Sequence, residues 1–217
     1  MLLEFDKYYH IYNRANGWEK IFLNSNNYQF FLEKYELHLG DFVDTYCYCL
    51  MPNHFHLLIK VKEEEEVLKA YERLRGLKRN QPLQPFPKLV HNQNLIQPQT
   101  LEKVVSKQFS NLFSSYTQAF NKVHGRMGSL FMKNFKRKPV TDELYFKKLV
   151  HYIHHNPIEA KLCDTIEDWD FSSYKYILQP TARTNFIARN SLLEWFNDEN
   201  EFKEFHKLNR QLNAQEE

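Results

Sequence analysis

The sequence predicts an α+β protein built on an antiparallel sheet with helices on one face. Three observations predict it. Residues 7–14, 42–50 and 54–61 are rich in aromatic and β-branched side chains and read as strands. Segments beginning near Tyr28 and Thr100 carry apolar residues at helical spacing. The resulting order is strand, helix, strand, strand, a long insertion with helix, short strand, helix, which is that of a ferredoxin-like (RRM-like) core.

Each element follows from local chemistry. The first strand places Tyr8, His10, Tyr12 and Arg14 on one face, and Asn16-Gly17 marks the turn after it. The Asn24-Ser25-Asn26-Asn27 cluster offers caps to a helix whose apolar positions are Phe31, Leu32, Tyr35 and Leu39, with Gly40 as its stop. The second strand carries Val43, Thr45, Cys47 and Cys49 on one face by simple alternation. Met51-Pro52-Asn53 then turns the chain into the third strand, giving an antiparallel hairpin.

The four acids Glu63 to Glu66 suit the start of an amphipathic helix continuing through Val67, Leu68, Tyr71 and Leu74. Residues 80–99 hold Pro82, Pro85, Pro87 and Pro98 among many Asn and Gln, and read as an inserted loop. Helix returns over 100–124 with Val104, Val105, Phe109, Leu112, Phe113, Tyr116 and Phe120 as its stripe, ended by Gly125. Thr141-Asp142-Glu143 caps a further helix through Leu144, Tyr145, Leu149, Tyr152 and Ile153, interrupted at Pro157. An acidic segment surrounds Trp169, and residues 191–208 read as one last amphipathic helix, with Leu192, Trp195, Phe196, Phe202 and Phe205.

Composition narrows the class. With 217 residues, 18 Phe, 13 Tyr and only 5 Gly, the chain has material for a sizeable core. A net charge of +2 singles out no partner. The three cysteines, Cys47, Cys49 and Cys163, do not make a disulfide framework and fit a reducing compartment. No apolar run approaches the roughly 20 residues of a bilayer span, and the N-terminus lacks the basic start and apolar stretch of a signal peptide. The expected setting is cytoplasmic, with no membrane partner.

Three features carry chemistry. In His54-Phe55-His56 the two imidazoles share one strand face while Phe55 points to the other. Such a pair can hold one metal ion, and it equally fits ordinary half-buried histidines. The segment 126–140 is wholly basic in its charges, interleaved with Phe131 and Phe135. It suits a sugar-phosphate backbone with unstacked bases, or a basic loop with two core anchors. Tyr152 and Asn156 are four apart on a helix, hence one turn apart on one face.

These residues lie in blocks that resemble a known family. The blocks are Tyr9-His10-Ile11-Tyr12-Asn13-Arg14, the run from Tyr48 through Met51-Pro52-Asn53-His54-Phe55-His56 to Leu58, Gly128-Ser129-Leu130-Phe131, and Tyr152-Ile153-His154-His155-Asn156-Pro157-Ile158-Glu159-Ala160. In this order they resemble the single-tyrosine HUH transposases of the insertion-sequence-200-like group. The nearer resemblance is to the branch domesticated in bacteria as REP-associated tyrosine transposases. The resemblance implies a catalytic domain over 1–178, with an insertion at about 62–100, and leaves 179–217 as a helical C-terminal extension.

It also implies the chemistry. Tyr152 would be the nucleophile, and His54, His56 and Asn156 the ligands of a divalent metal, Mg²⁺ or Mn²⁺. The partner would be single-stranded DNA with hairpins, cleaved and rejoined through a 5′-phosphotyrosine link, in a cytoplasmic, nucleoid-associated setting. Both homodimers, with the tyrosine helix supplied in trans, and monomers are arrangements the resemblance allows. Arg14, Arg126, Lys133, Lys136, Arg137 and Lys138 are the candidate phosphate contacts. Tyr116 is a rival nucleophile, disfavoured because the position one turn on is Phe120. His10 reads as a packed strand residue in preference to a partner of the metal ligands, and His154 and His155 as facing solvent or DNA. A catalytically silent single-stranded nucleic-acid-binding protein of the same fold is the alternative. A water-using metal hydrolase is less favoured, since no acid lies near the histidine pair in sequence.

Overall fold

The computed structural model describes residues 2–79, 98–180 and 186–213, so most of the inserted loop expected over 80–99 and the last residues of the tail lie outside the described residues. The elements are β1 (Tyr8–Arg14), α1 (Ser25–Leu39), β2 (Val43–Met51), β3 (His54–Val61), α2 (Glu64–Arg79), α3 (Pro98–His124), β4 (Lys136–Val140), α4 (Glu143–Glu159), a 3-10 turn (Ile166–Asp168), α5 (Tyr174–Leu178), α6 (Arg189–Glu194) and α7 (Glu199–Asn213). The sheet runs β2-β3-β1-β4 and is antiparallel throughout. That is the expected ferredoxin-like order, with the hairpin β2–β3 returning its second strand beside β1.

Alternation on the strands decides what each face meets. Phe55 is fully buried and packs against Phe31 of α1, Phe113 of α3 and Phe131. The core helices α1 and α3 therefore cover this face. The other face carries Tyr8, His10, Tyr12, His54 and His56, and receives the further helix α4. Phe146 of α4 meets Tyr8 and Tyr46 edge-on, and Tyr152 meets His56 and His10. In β2 a register irregularity between Thr45 and Cys47 breaks simple alternation. Thr45 bonds Tyr35 of α1 at 2.7 Å, whereas Cys47 and Cys49 pair with Leu58 and His56 and belong to the α4 face. The expectation of one shared face for these three residues is corrected by that bulge. Both cysteines are buried and free.

Helix ends follow the capping chemistry. Asn24 accepts from the Asn27 amide, and Asp142 accepts from the Tyr145 amide at 2.8 Å. Gly125, at φ +61°, ends α3, and the Arg126 amide reaches back to the Asn121 carbonyl at 2.9 Å. This is the six-to-one bond that a left-handed residue makes possible. Two boundaries differ from expectation. Helix α4 runs through Pro157 to Glu159, because a proline removes one amide donor without ending a helix packed on both sides. The last amphipathic segment is two helices, parted at Asn197 (φ +64°), with Asp198 capping the amides of Asn200 and Glu201.

The outer edge of β2 is covered. Leu50 donates to the Phe171 carbonyl, Ser173 to that of Tyr48 and Ala188 to that of Thr45. Ser173 then starts a hydrogen-bonded chain into the helices. The Tyr48 amide donates to Ser173 Oγ (2.9 Å), Ser173 Oγ meets His154 Nε2 (2.8 Å), His154 Nδ1 meets His206 Nε2 (2.9 Å), and His206 Nδ1 meets the Phe202 carbonyl (2.8 Å). The carbonyl can only accept, so His206 donates from Nδ1 and accepts at Nε2. His154 must then donate from Nδ1 and accept from the serine hydroxyl. Burial keeps both imidazoles neutral, and in that state every ring nitrogen of the two has a partner. His151 stacks on His155 with ring centres 3.8 Å apart, and its ring nitrogens have no hydrogen-bond partner among the described residues. His154 and His155 are thus interior residues, contrary to the expectation that they face solvent or DNA. They lie on the side of α4 that α7 covers.

Two outcomes follow. Truncation F55A should cost about 3–5 kcal/mol in urea unfolding, since it leaves a cavity among three phenylalanines. A cost below about 1 kcal/mol would contradict the packing. Burial holds His151 and His206 down to about 3 and His154 well below its ordinary range, with the neighbouring histidines adding to the effect. The unfolded chain, with histidines near 6.5, binds more protons than the native protein between about pH 6.5 and 3. Stability should therefore be fully present above pH 6.5 and fall as pH drops below it, by about 1.4 kcal/mol per pH unit for each such histidine. Urea midpoints at pH 7.5 and 5.5 measure this, and equal midpoints would contradict it.

Candidate functional site

The site is built where β1, β3 and α4 meet. Antiparallel pairing sets Arg14 opposite His54, Tyr12 opposite His56 and His10 opposite Leu58. Residues opposite one another share a face, so β1 supplies a flank to the histidine pair. The His54 and His56 rings stand 5.1 Å apart, nearly perpendicular. Tyr152, 40 % exposed, presents its ring edge-on at 5.4 Å from His56 and 6.2 Å from His10. One turn on, Asn156 reaches His54. The four residues singled out from the sequence, His54, His56, Tyr152 and Asn156, are thus brought together within one chain.

The hydrogen bonds fix which atoms are free. His54 Nδ1 lies 2.7 Å from Asn53 Oδ1, an acceptor, so Nδ1 carries the proton and Nε2 presents a lone pair. Asn156 donates its amide nitrogen to the Tyr152 carbonyl at 3.2 Å, which turns its Oδ1 toward His54 Nε2 at 3.4 Å. Two lone-pair atoms then face one another with no proton between them, an arrangement that a shared cation would relieve. His56 Nδ1 is engaged by His10 Nε2 at 2.8 Å, which leaves His56 Nε2 unengaged by that contact. A ring nitrogen held by a neighbour while the other is free is the pattern of metal-ligating histidines. His10 is therefore the partner of a candidate ligand, where the sequence reading favoured simple packing.

Electrostatics agree with that role. Burial pushes His56 down to about 2, with His10 and His54 adding repulsion, and burial with the Lys138 charge pushes His10 down to about 4. His54 is lowered too, chiefly by burial. All three are neutral at neutral pH, so a cation would meet no positive charge on them, and at His54 it would meet a free lone pair on Nε2. Among the described residues no three His, Cys, Asp or Glu side chains gather as a metal-holding group. A site here would rest on two imidazoles and one amide oxygen, a set that admits a hard divalent ion completing its shell with water or phosphate oxygen.

The remaining candidates separate into two groups. Arg14, Lys133, Lys136 and Lys138 are exposed. Lys136 and Lys138 pair with Tyr12 and His10, which places them on the site's face of the sheet. Arg137 pairs with Ile11 on the opposite face, lies over the Phe135 ring at 4.3 Å and donates to Ser106. Arg126 is ion-paired with Glu19 and donates to the carbonyls of Met127, Gly128 and Ser129. These two guanidinium groups are built into the scaffold. The rival Tyr116 is buried and donates to the Ile21 carbonyl at 2.6 Å, and burial pushes its hydroxyl far up. Sequence reasoning missed Asn53 as the partner of His54 and the buried pair His151 and His206. The first was legible as a polar residue next to a candidate ligand. The second needed the docking of α7 on α4.

Comparison with known proteins is sparse. No protein-family model matches the chain, and no curated protein matches it. One solved structure is similar, described as a REP-associated tyrosine transposase bound to a REP hairpin. The two share 13 % sequence identity over 83 % of each chain, with a TM-score of 0.51. That likeness is one of fold: a four-stranded antiparallel sheet with helices, as described above.

Proposed function

We propose that the protein is a single-tyrosine strand-transferase acting on single-stranded DNA. The observation that carries the reading is the convergence of Tyr152 and Asn156, from one face of α4, on His54 and His56, with each histidine Nδ1 already held by a neighbour. In the packed pair His154 and His206 every ring nitrogen has a partner, whereas here His54 Nε2 and Asn156 Oδ1 face one another as two acceptors. The fold likeness to a protein solved with a DNA hairpin supports the same reading.

The residues would divide the work. Tyr152 Oη would attack the phosphorus of a bound phosphodiester, forming a P–O bond to tyrosine as the P–O3′ bond breaks. The tyrosine loses its hydroxyl proton and the leaving 3′ oxygen gains one, so the step is balanced and leaves a 5′-phosphotyrosine and a free 3′-hydroxyl. That hydroxyl, or another DNA end, can reverse the step without ATP, since the phosphodiester energy is kept in the link. His54, His56 and Asn156 would hold Mg²⁺ or Mn²⁺, which when bound polarises the phosphate oxygen and stabilises charge developing there. Arg14, Lys136 and Lys138 would neutralise the strand's phosphates along the sheet face. Tyr152 and the histidines belong to one chain, so one copy suffices to assemble the site. An unpaired strand is the fitting substrate, since it bends freely enough to bring a phosphate to the partly exposed Tyr152. We further propose that residues 1–178 form the catalytic domain, with 179–217 as the extension that backs α4.

Incubation with hairpin-bearing single strands should yield a protein–DNA band that survives denaturing electrophoresis. Y152F should abolish that band while binding stays within about twofold, because only the hydroxyl is removed. Persistence of the band in Y152F would remove Tyr152 from the nucleophile's role. Binding without any band in the parent protein would favour the catalytically silent alternative. Excess chelator should stop adduct formation, and Mg²⁺ or Mn²⁺ should restore it. Undiminished adduct in chelator would remove the metal.

A further inference from the structure

Of the three tryptophans, two are packed. Trp169 donates to the Leu50 carbonyl, and Trp195 stacks on Phe146 with ring centres 4.1 Å apart. Trp18 is fully exposed, and Met127 beside its loop is 90 % exposed. An indole wholly in water leaves one of the largest side-chain surfaces unpacked.

The backbone around Trp18 is nonetheless held. Ala15 donates to the Asn53 carbonyl at 2.7 Å, and Ile21 and Phe22 donate to that of Pro52 at 2.8 and 3.1 Å. Both ends of the loop are thus fastened to the turn whose Asn53 side chain orients His54. Gly17 takes φ +87° at the bend, a conformation that disfavours any side chain there. Asn16 donates to the Leu130 carbonyl at 2.9 Å, and Glu19 is ion-paired with Arg126, whose Nε–Oε1 distance is 3.1 Å. Arg126 in turn gathers the carbonyls of residues 127–129, so the loops bearing Trp18 and Met127 are joined. The ion pair also neutralises the loop's one acid, leaving Lys20, Arg14 and Lys133 as the exposed charges along these segments. The surface next to the candidate site's turn is therefore an exposed indole on a backbone held at both ends, in a net positive surround, a combination that suits a nucleobase attached to a phosphate chain.

We propose that Trp18 is a stacking platform for an unpaired base of the strand whose phosphate is presented to Tyr152. The proposal rests on the strand-transfer reading and names a binding subsite for it. Stacking tolerates any base, so Trp18 would position the strand and leave its sequence unread.

The test uses the full chain carrying Y152F and a labelled single-stranded oligonucleotide, with a blunt fully paired hairpin as control. Single strand should quench tryptophan emission, and W18F should remove most of the quenching. In labelled-DNA anisotropy W18A should weaken single-strand binding about tenfold, W18F should restore most of it, and blunt-hairpin binding should change little. Trp18 is fully exposed, so the fold should tolerate both changes. Unchanged single-strand affinity in W18A, no binding of single strand at all, or a change in self-association in place of DNA affinity would each overturn the proposal. The covalent band formed by the parent chain is a separate readout. A band together with unchanged W18A affinity would sink the stacking platform alone, whereas Trp18-dependent binding without a band would sink the strand-transfer reading.

Discussion

The register between β1 and β3 is the constraint on which the candidate site depends. It sets His10, Tyr12 and Arg14 alongside His56 and His54, and it is locked because the residues between them, Tyr9, Ile11, Phe55 and Leu57, are buried in the opposite face. A slip of one residue would move every side chain of a strand to the other face, burying imidazoles among phenylalanines and exposing Phe55. The core under the sheet therefore does more than stabilise the molecule. It aims the histidines toward α4 and holds them there.

Helix α4 is the second half of that arrangement, and it is pinned from behind. The relay from Tyr48 through Ser173, His154 and His206 to Phe202 ties the sheet edge, α4 and α7 together through imidazoles that burial keeps neutral. The face of α4 turned to the sheet brings Tyr152 and Asn156 to the histidine pair. The C-terminal helices thus contribute to the site without touching it, by fixing the helix that carries two of its four residues. Two clusters of neutral imidazoles result, with different means of satisfaction. In the interior, His154 and His206 bond one another and their neighbours, whereas at the site His54 Nε2 and Asn156 Oδ1 face one another as two acceptors. Two opposed acceptors beside a partly exposed tyrosine are what separate this site from the packed pair His154 and His206.

Much of this was legible in the sequence, for reasons that particular residues show. Alternation around Phe55 gave the common face of His54 and His56, and the four-residue spacing of Tyr152 and Asn156 gave theirs, because both depend only on local geometry. The strand order followed from element order and the tight β2–β3 turn. The bulge at Thr45–Cys47 was not legible, since an extra residue in a strand leaves no mark in a run of apolar side chains. Nor were the roles of His10, His154 and His206, whose partners lie 46 to 52 residues away and are chosen by packing. Charge was the poorest guide. Arg126 and Arg137 belong to the same basic run as Lys136 and Lys138, yet pleat direction and one acidic partner from another loop divide them between scaffold and surface.

The central claim is chemical: one named hydroxyl on α4 becomes bonded to DNA. The most direct measurement is mass spectrometry of the protein–DNA adduct after nuclease and protease digestion. The account predicts a nucleotide remnant on the peptide containing Tyr152, attached through a 5′ phosphate, with Tyr116 and every other tyrosine unmodified. A remnant on another residue, or digestion products with no covalent nucleotide at all, would contradict it.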